Sequence, residues 1–256
     1  MNNLIFLFLE FEIRLFFCKG EFVLFWLFWS CQGGESISFS GSEPIRGDST
    51  VFIKYCTEKR PEAQLIFEAL GLEWDTKNCQ KGWDIVATKT SIDISQVDIS
   101  DLRIFSGMTN LSVFMASSNK ITDLSPLKDM SRLEELYVMS NNITDISVLY
   151  NFSQLKIVRL DGNQISDISV LSKLHRLQII GLDKNQIQDF TPLQNFNELK
   201  SLNTNFNPVD LDYCPPKGKG PKQLHKYCKR MRKNAGLDKG IEFQDPFDKN
   251  ETQREK

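Results

Sequence analysis

Histidine is scarce: the 256 residues contain two, His175 and His225. Imidazole is the commonest metal ligand and general base. A His-built metal centre or a His-assisted nucleophile therefore has little to draw on, and no base stands near a Ser or Cys nucleophile in the sequence. Six cysteines are present, and no two have the CxxC spacing of zinc or thioredoxin-type sites. Glycine occurs 14 times, but "PPKGKGPKQ" fails both the GxxxxGK[ST] and the GxGxxG spacing that cradle phosphates. The longest clean apolar run, "FVLFWLFW", is too short to span a bilayer. A net charge of −2 singles out no class of partner. The charge is unevenly placed, because Lys217 to Lys233 holds eight Lys or Arg and no Asp or Glu.

What the chain does have is a period. Asn119, Asn141, Asn163, Asn185 and Asn207 stand 22 residues apart, as do Asp101, Asp123, Asp145, Asp167 and Asp189. Leu111, Leu133, Leu155, Leu177 and Leu199 keep the same step, and so do Ile121, Ile143, Ile165, Ile187 and Val209. A fixed period of this length marks a solenoid. Within one unit, Leu136 and Val138 alternate with Glu135, Tyr137 and Met139. That pattern predicts a strand, the first pair inward and the second set outward. Six strands follow, near residues 92–94, 114–116, 136–138, 158–160, 180–182 and 202–204. Pro126 and Pro192 point to an irregular or 3₁₀ return rather than a long helix. Each repeated Asn can bond the backbone of a turn, and stacked turns would form an Asn ladder. Each repeated Asp reads as a cap on the return segment. Val97 stands where the first unit would carry its Asn, which marks a terminal unit.

"LEELYVMSNNI", "LKIVRLDGNQI" and "LQIIGLDKNQI" resemble the LxxLxLxxNxI core of leucine-rich repeats. With "TDLSPL", "TDISVL" and "QDFTPL" on the return stroke, the 22-residue unit is similar to the internalin-like class. The resemblance covers roughly residues 91 to 210. It implies an α/β solenoid: a horseshoe of about six turns, parallel strands on the concave face, a helical N-terminal cap and a disulfide-bearing C-terminal cap. Similar Cys-containing flanks occur in secreted leucine-rich repeat proteins. On that basis Cys56 pairs with Cys79 and Cys214 with Cys228, against the alternative of four buried thiols in a cytosolic cap. Pro61 to Leu70 reads as a helix opened by Pro and stopped by Gly71.

The organisation expected is a signal-peptide-like segment at 1–31, a tether at 32–50, an N-terminal cap at 51–90, repeats at 91–210, a C-terminal cap at 211–235 and a disordered tail at 236–256. Arg14 and Lys19 precede the apolar run, as in a signal peptide. "FWSCQGG" resembles a bacterial lipobox, in which Cys31 would be lipidated after cleavage. Ser30 and Cys31 fit that pattern, whereas Phe28 and Trp29 stand where Leu and a small residue are usual. "PIRGDST" carries Arg46-Gly47-Asp48, a tripeptide that some integrins recognise and that arises readily by chance. "KQLHKYCKRMRK" places Leu224, Cys228 and Met231 on one helical face with Lys and Arg around the rest, a capping helix with a solvated face; the alternative is attraction to anionic lipid or nucleic acid, with lipid favoured for an anchored protein.

The outward strand residues form the surface that this architecture builds. Met115, Glu135, Tyr137, Met139, Ile157, Arg159, Asp161, Ile179, Asp183 and Asn203 are the candidate ligand-contacting residues on it. Exposed aromatic, Met and Arg side chains suit protein recognition. The expectation is a non-enzymatic, monomeric protein-binding module without cofactor or metal. It would be exported, either held at a bacterial cell envelope by a lipid anchor or secreted, and would not bind nucleic acid. The alternative is an intracellular scaffold resembling the leucine-rich repeat subunit of a phosphatase, which would keep its thiols reduced. An enzyme with appended repeats, such as a ubiquitin ligase effector, would need a catalytic domain that the segment after residue 236 is too short to supply.

Overall fold

The computed structural model describes residues 48–72, 77–214 and 219–236. The signal-like segment with Cys31, the tether up to residue 47 and the tail from residue 237 lie outside the described residues.

Six strands, β1 (Ser91–Asp93), β2 (Val113–Met115), β3 (Glu135–Tyr137), β4 (Ile157–Arg159), β5 (Ile179–Gly181) and β6 (Ser201–Asn203), form one parallel sheet in sequence order. Every neighbouring pair is in a register of one repeat: Phe114 faces Leu136, Leu136 faces Val158, and Val158 faces Ile180. Each strand starts one residue earlier than the alternation predicts. The ladder centres on the inward residue, Leu136 in β3, rather than on the outward Tyr137. The chain returns through 3₁₀ turns at Arg103–Phe105, Ser125–Leu127, Ser147–Asn151, Ser169–Lys173, Thr191–Leu193 and Leu211–Tyr213. Each turn is opened by its Asp: the Asp123, Asp145, Asp167 and Asp189 carboxylates each accept the backbone N–H two residues on, at 2.7 Å. The core runs the length of the stack, and Leu155, Val158, Leu160, Ile165 and Leu171 are fully buried within a single coil.

The Asn side chains bolt the coils together. Asn163 donates from Nδ2 to the carbonyls of Val138 (3.0 Å) and Leu160 (2.9 Å), and its Oδ1 accepts the Ile143 N–H at 3.0 Å. Asn141 and Asn185 repeat the pattern one coil away on either side. At the first coil Asn119 Oδ1 accepts from both Val97 and Ile99, so the coil without its own Asn is still held. The residue before each Asn takes a left-handed conformation: Ser118, Ser140, Lys184 and Phe206 have φ of 57°, 55°, 55° and 60°, and Gly162 has 71°.

The N-terminal cap has three helices where the sequence predicts one: α1 (Thr50–Thr57), α2 (Pro61–Ala69) and α3 (Cys79–Val86). Helix α1 begins at the last residue assigned to the tether. Its β-branched content disfavours a helix locally, but burial of Phe52, Tyr55 and Cys56 outweighs that preference. Phe52 packs on Phe67 and Trp83, with ring centroids 5.2 and 5.5 Å away, and the Cys56–Cys79 disulfide ties α1 to α3. The Tyr55 hydroxyl reaches Asp101 on the first coil at 2.5 Å. At the other end α4 (Lys222–Asn234) lays Leu224, Tyr227 and Cys228 over the last coil. It is fixed there by the Cys214–Cys228 disulfide and by Tyr227 packing edge-on to Phe190. Among the described residues no helix is long and apolar enough to cross a membrane.

Candidate functional site

Alternation in six in-register strands sends three columns of side chains out of the sheet. The first column is Ser91, Val113, Glu135, Ile157, Ile179 and Ser201; the second is Asp93, Met115, Tyr137, Arg159, Gly181 and Asn203. The third, just beyond the strands, is Ser95, Ser117, Met139, Asp161, Asp183 and Asn205. All ten candidate residues lie on this face, and each is partly exposed. Rows are roughly 4.8 Å apart, so a partner lying across the strands meets consecutive coils.

The face is organised by its own hydrogen bonds. Tyr137 donates its hydroxyl to Glu135 at 2.8 Å. Burial, and then this carboxylate, raise the Tyr137 phenol above its ordinary range, so it remains a neutral donor. Arg159 Nε donates to Asp161 at 2.7 Å. The pair lies over Gly181, where an added Cβ would stand 2.8 Å from Arg159 Cδ and closer still to Asp161. The absence of a side chain at Gly181 therefore leaves the space that the Arg159–Asp161 pair occupies.

The third column has a second duty that the sequence reading missed. Ser95 and Ser117 hydroxyls accept the N–H of Ser117 and Met139, and Asp161 Oδ1 accepts that of Asp183 at 3.2 Å. Asp183 Oδ1 accepts both the backbone N–H and the side-chain amide of Asn205, and Arg230 of α4 donates to Asn205 at 2.6 Å. Asp161 and Asp183, read as ligand contacts, thus already serve the fold with one oxygen each. The signal was available: short oxygen-bearing side chains recur at the 22-residue step, broken only by Met139. What remains for a ligand is an apolar centre of Met115, Tyr137, Met139, Ile157 and Ile179, bordered by four carboxylates and one paired arginine.

Other candidates fall away. No group of His, Cys, Asp and Glu that could hold a metal ion occurs among the described residues. His175 is an exposed turn residue beside a groove of about 600 Å³ that also touches Lys156, Arg176 and Phe196. The Asp48 Oδ1 accepts from both the N–H and the hydroxyl of Thr50 at the start of α1, and the Asp48 backbone packs against Gly107.

A family model described as leucine-rich repeats in two copies matches residues 109–151, 131–173 and 153–195. No curated protein matches the chain. Among solved structures, an internalin (inlF) of Listeria monocytogenes is 36% identical, with 50% of this chain and 39% of that chain covered and a TM-score of 0.48. Internalin C2 of the same organism is 20% identical over 66% of this chain and 92% of that one, with a TM-score of 0.41. A leucine-rich repeat protein of Leptospira interrogans is 17% identical over 59% and 36%, with a TM-score of 0.47. The chain thus spans well under half the length of the internalin inlF. Residues 109–195 are thus leucine-rich repeats, and the six parallel strands, 3₁₀ returns and Asn bridges show the same 22-residue unit built into one solenoid.

Proposed function

We propose that the sheet face binds a protein partner and that the molecule performs no catalysis. Leucine-rich repeat domains are typically protein-binding modules. The observation that carries the reading is the apolar centre, Met115, Tyr137, Met139, Ile157 and Ile179, held half-exposed among carboxylates on a rigid sheet. Such a surface suits a partner that brings apolar side chains flanked by Lys or Arg. The Tyr137–Glu135 and Arg159–Asp161 bonds fix the contact groups in advance, which lowers the entropy lost on binding.

Two disulfides support an extracellular or secreted setting and speak against the intracellular scaffold. Within that setting we place the protein at a cell envelope, anchored through Cys31. Cleavage before Cys31 would leave the four disulfide cysteines and one lipidated thiol. Intact-mass analysis of the mature protein from its native host tests the anchor. A chain beginning at diacylglyceryl-Cys31 is expected, and an unmodified N-terminus elsewhere rules it out.

The binding face is tested by the double variant Tyr137→Ala, Arg159→Ala, with capture of envelope proteins as the readout. Loss of two central contacts should weaken the captured partner by about 30-fold or more, with an unchanged circular dichroism spectrum. Full affinity in the variant would remove the sheet face as the site.

A further inference from the structure

Helix α4 carries a feature that capping does not require. Lys222, Lys226, Lys229 and Lys233 recur at intervals of four, three and four residues. At about 100° per residue they fall within an arc of about 60°, over a length of about 17 Å. Leu224, Tyr227 and Cys228 are buried on the opposite side, so the lysines point away from the solenoid and form its C-terminal end face. A solvated helix face normally mixes signs, because like charges three and four residues apart repel. Helix α4 has Arg230 and Arg232 beside the stripe and no acidic residue. The nearest acids before it in the chain, Asp210 and Asp212, belong to the preceding 3₁₀ turn, and Asp210 is occupied capping that turn at 3.0 Å; the nearest after it, Asp238, lies outside the described residues. Lys226, Lys229 and Lys233 make no ion pair with any described residue.

We infer that this lysine face docks on an anionic membrane surface. The chemistry selects lipid headgroups over nucleic acid. Lysine ammoniums are point charges that suit a diffuse negative surface and lack the bidentate fork that reads phosphate or base edges. No aromatic side chain is exposed between the lysines for bases to stack on, since Tyr227 is buried. The neighbouring exposed aromatic, Tyr213, is half-exposed next to the Cys214–Cys228 bridge, the amphipathic type enriched at the headgroup level. The disulfides further point to a compartment in which membrane, not nucleic acid, is the polyanion at hand.

The test uses the full chain with phosphatidylcholine vesicles, alone or with about 30 mol% phosphatidylglycerol. Wild type and variant share the apolar N-terminal segment, so the readout is the difference between the two vesicle types, compared between the two proteins. The wild type should partition more strongly onto the anionic vesicles, and the difference should shrink as salt rises from about 50 to 500 mM. The variant Lys226→Gln, Lys229→Gln, Lys233→Gln should lose about tenfold or more of that difference, with its thermal midpoint kept because these side chains are exposed. A difference retained in the variant, or none in the wild type, overturns the inference. Tighter binding of the wild type to an oligonucleotide than to anionic vesicles overturns it in favour of nucleic acid.

Discussion

Replacing Asn163 with Leu removes one rung of the ladder while keeping the branching of the side chain, with methyl groups in place of the amide oxygen and nitrogen. Asn163 is 5% exposed and makes three bonds to buried backbone. The losses are unequal. The Val138 carbonyl also accepts from Asn141, and the Leu160 carbonyl also accepts from Asn185, so each keeps a partner. The Ile143 N–H has Asn163 Oδ1 as its acceptor and is left buried and unpaired. An orphaned buried donor costs about 1–3 kcal/mol and each lost carbonyl bond about 0.5–1.5 kcal/mol, giving roughly 2–6 kcal/mol in all. For a domain of about 190 residues, 1 kcal/mol moves the thermal midpoint by roughly 2–4 °C. The variant should therefore melt at least about 4 °C lower by circular dichroism. The neighbouring Gln164→Ala, at an exposed position, should melt within about 1 °C of the wild type. A midpoint for Asn163→Leu within that same margin would refute the bridging account.

Two further outcomes follow from the geometry. Phe206 is 76% exposed at a φ of 60°, so Phe206→Gly should relieve backbone strain without loss of packing. A rise in thermal midpoint of about 1–3 °C is expected, and a fall would show that the ring has a packing role. The Asp101 carboxyl is raised by burial, but bonds from Arg103 and Tyr55 outweigh this and hold it below the ordinary range. Its stabilising contribution is present above its unfolded value and is lost as pH falls from about 4 through the lower folded value. Asp101→Asn should therefore melt lower than the wild type at pH 6, with the gap closing toward pH 3; a gap that stays constant or widens would contradict this.

The parts of this fold that obey strict periodicity were legible. One Asn and one Asp per unit announce the bridge and the cap because no other residue type places the same donors and acceptors there. The left-handed corner was not legible, since Ser118, Ser140, Lys184 and Phe206 share no chemistry with Gly162 and the stack imposes their conformation. Helix α1 was hidden for a related reason: its helicity follows from the contacts of Phe52 and Tyr55 with distant residues, not from local preference. On the sheet face, alternation identified which side chains point outward. The duty of Asp161 and Asp183 in holding the next coil was signalled instead by the 22-residue recurrence of short oxygen-bearing side chains, and the stack shows which backbone N–H each carboxylate meets.

The side-chain bonds of Asn141, Asn163 and Asn185 reach their own coil or the coil before it, never the coil after it. The linkage therefore has a direction, and that direction matches synthesis. A chain emerging from a ribosome or a translocon presents the N-terminal cap first. Each later coil then finds its binding surface already complete, and its Asn can engage as soon as its own turn has emerged. Assembly by this route needs only short-range closure at every step, despite a parallel sheet whose strands are a full unit apart. Refolding from the intact unfolded chain lacks that ordering and can start at any coil, so it should be slower and more prone to misregistered stacks than folding during synthesis.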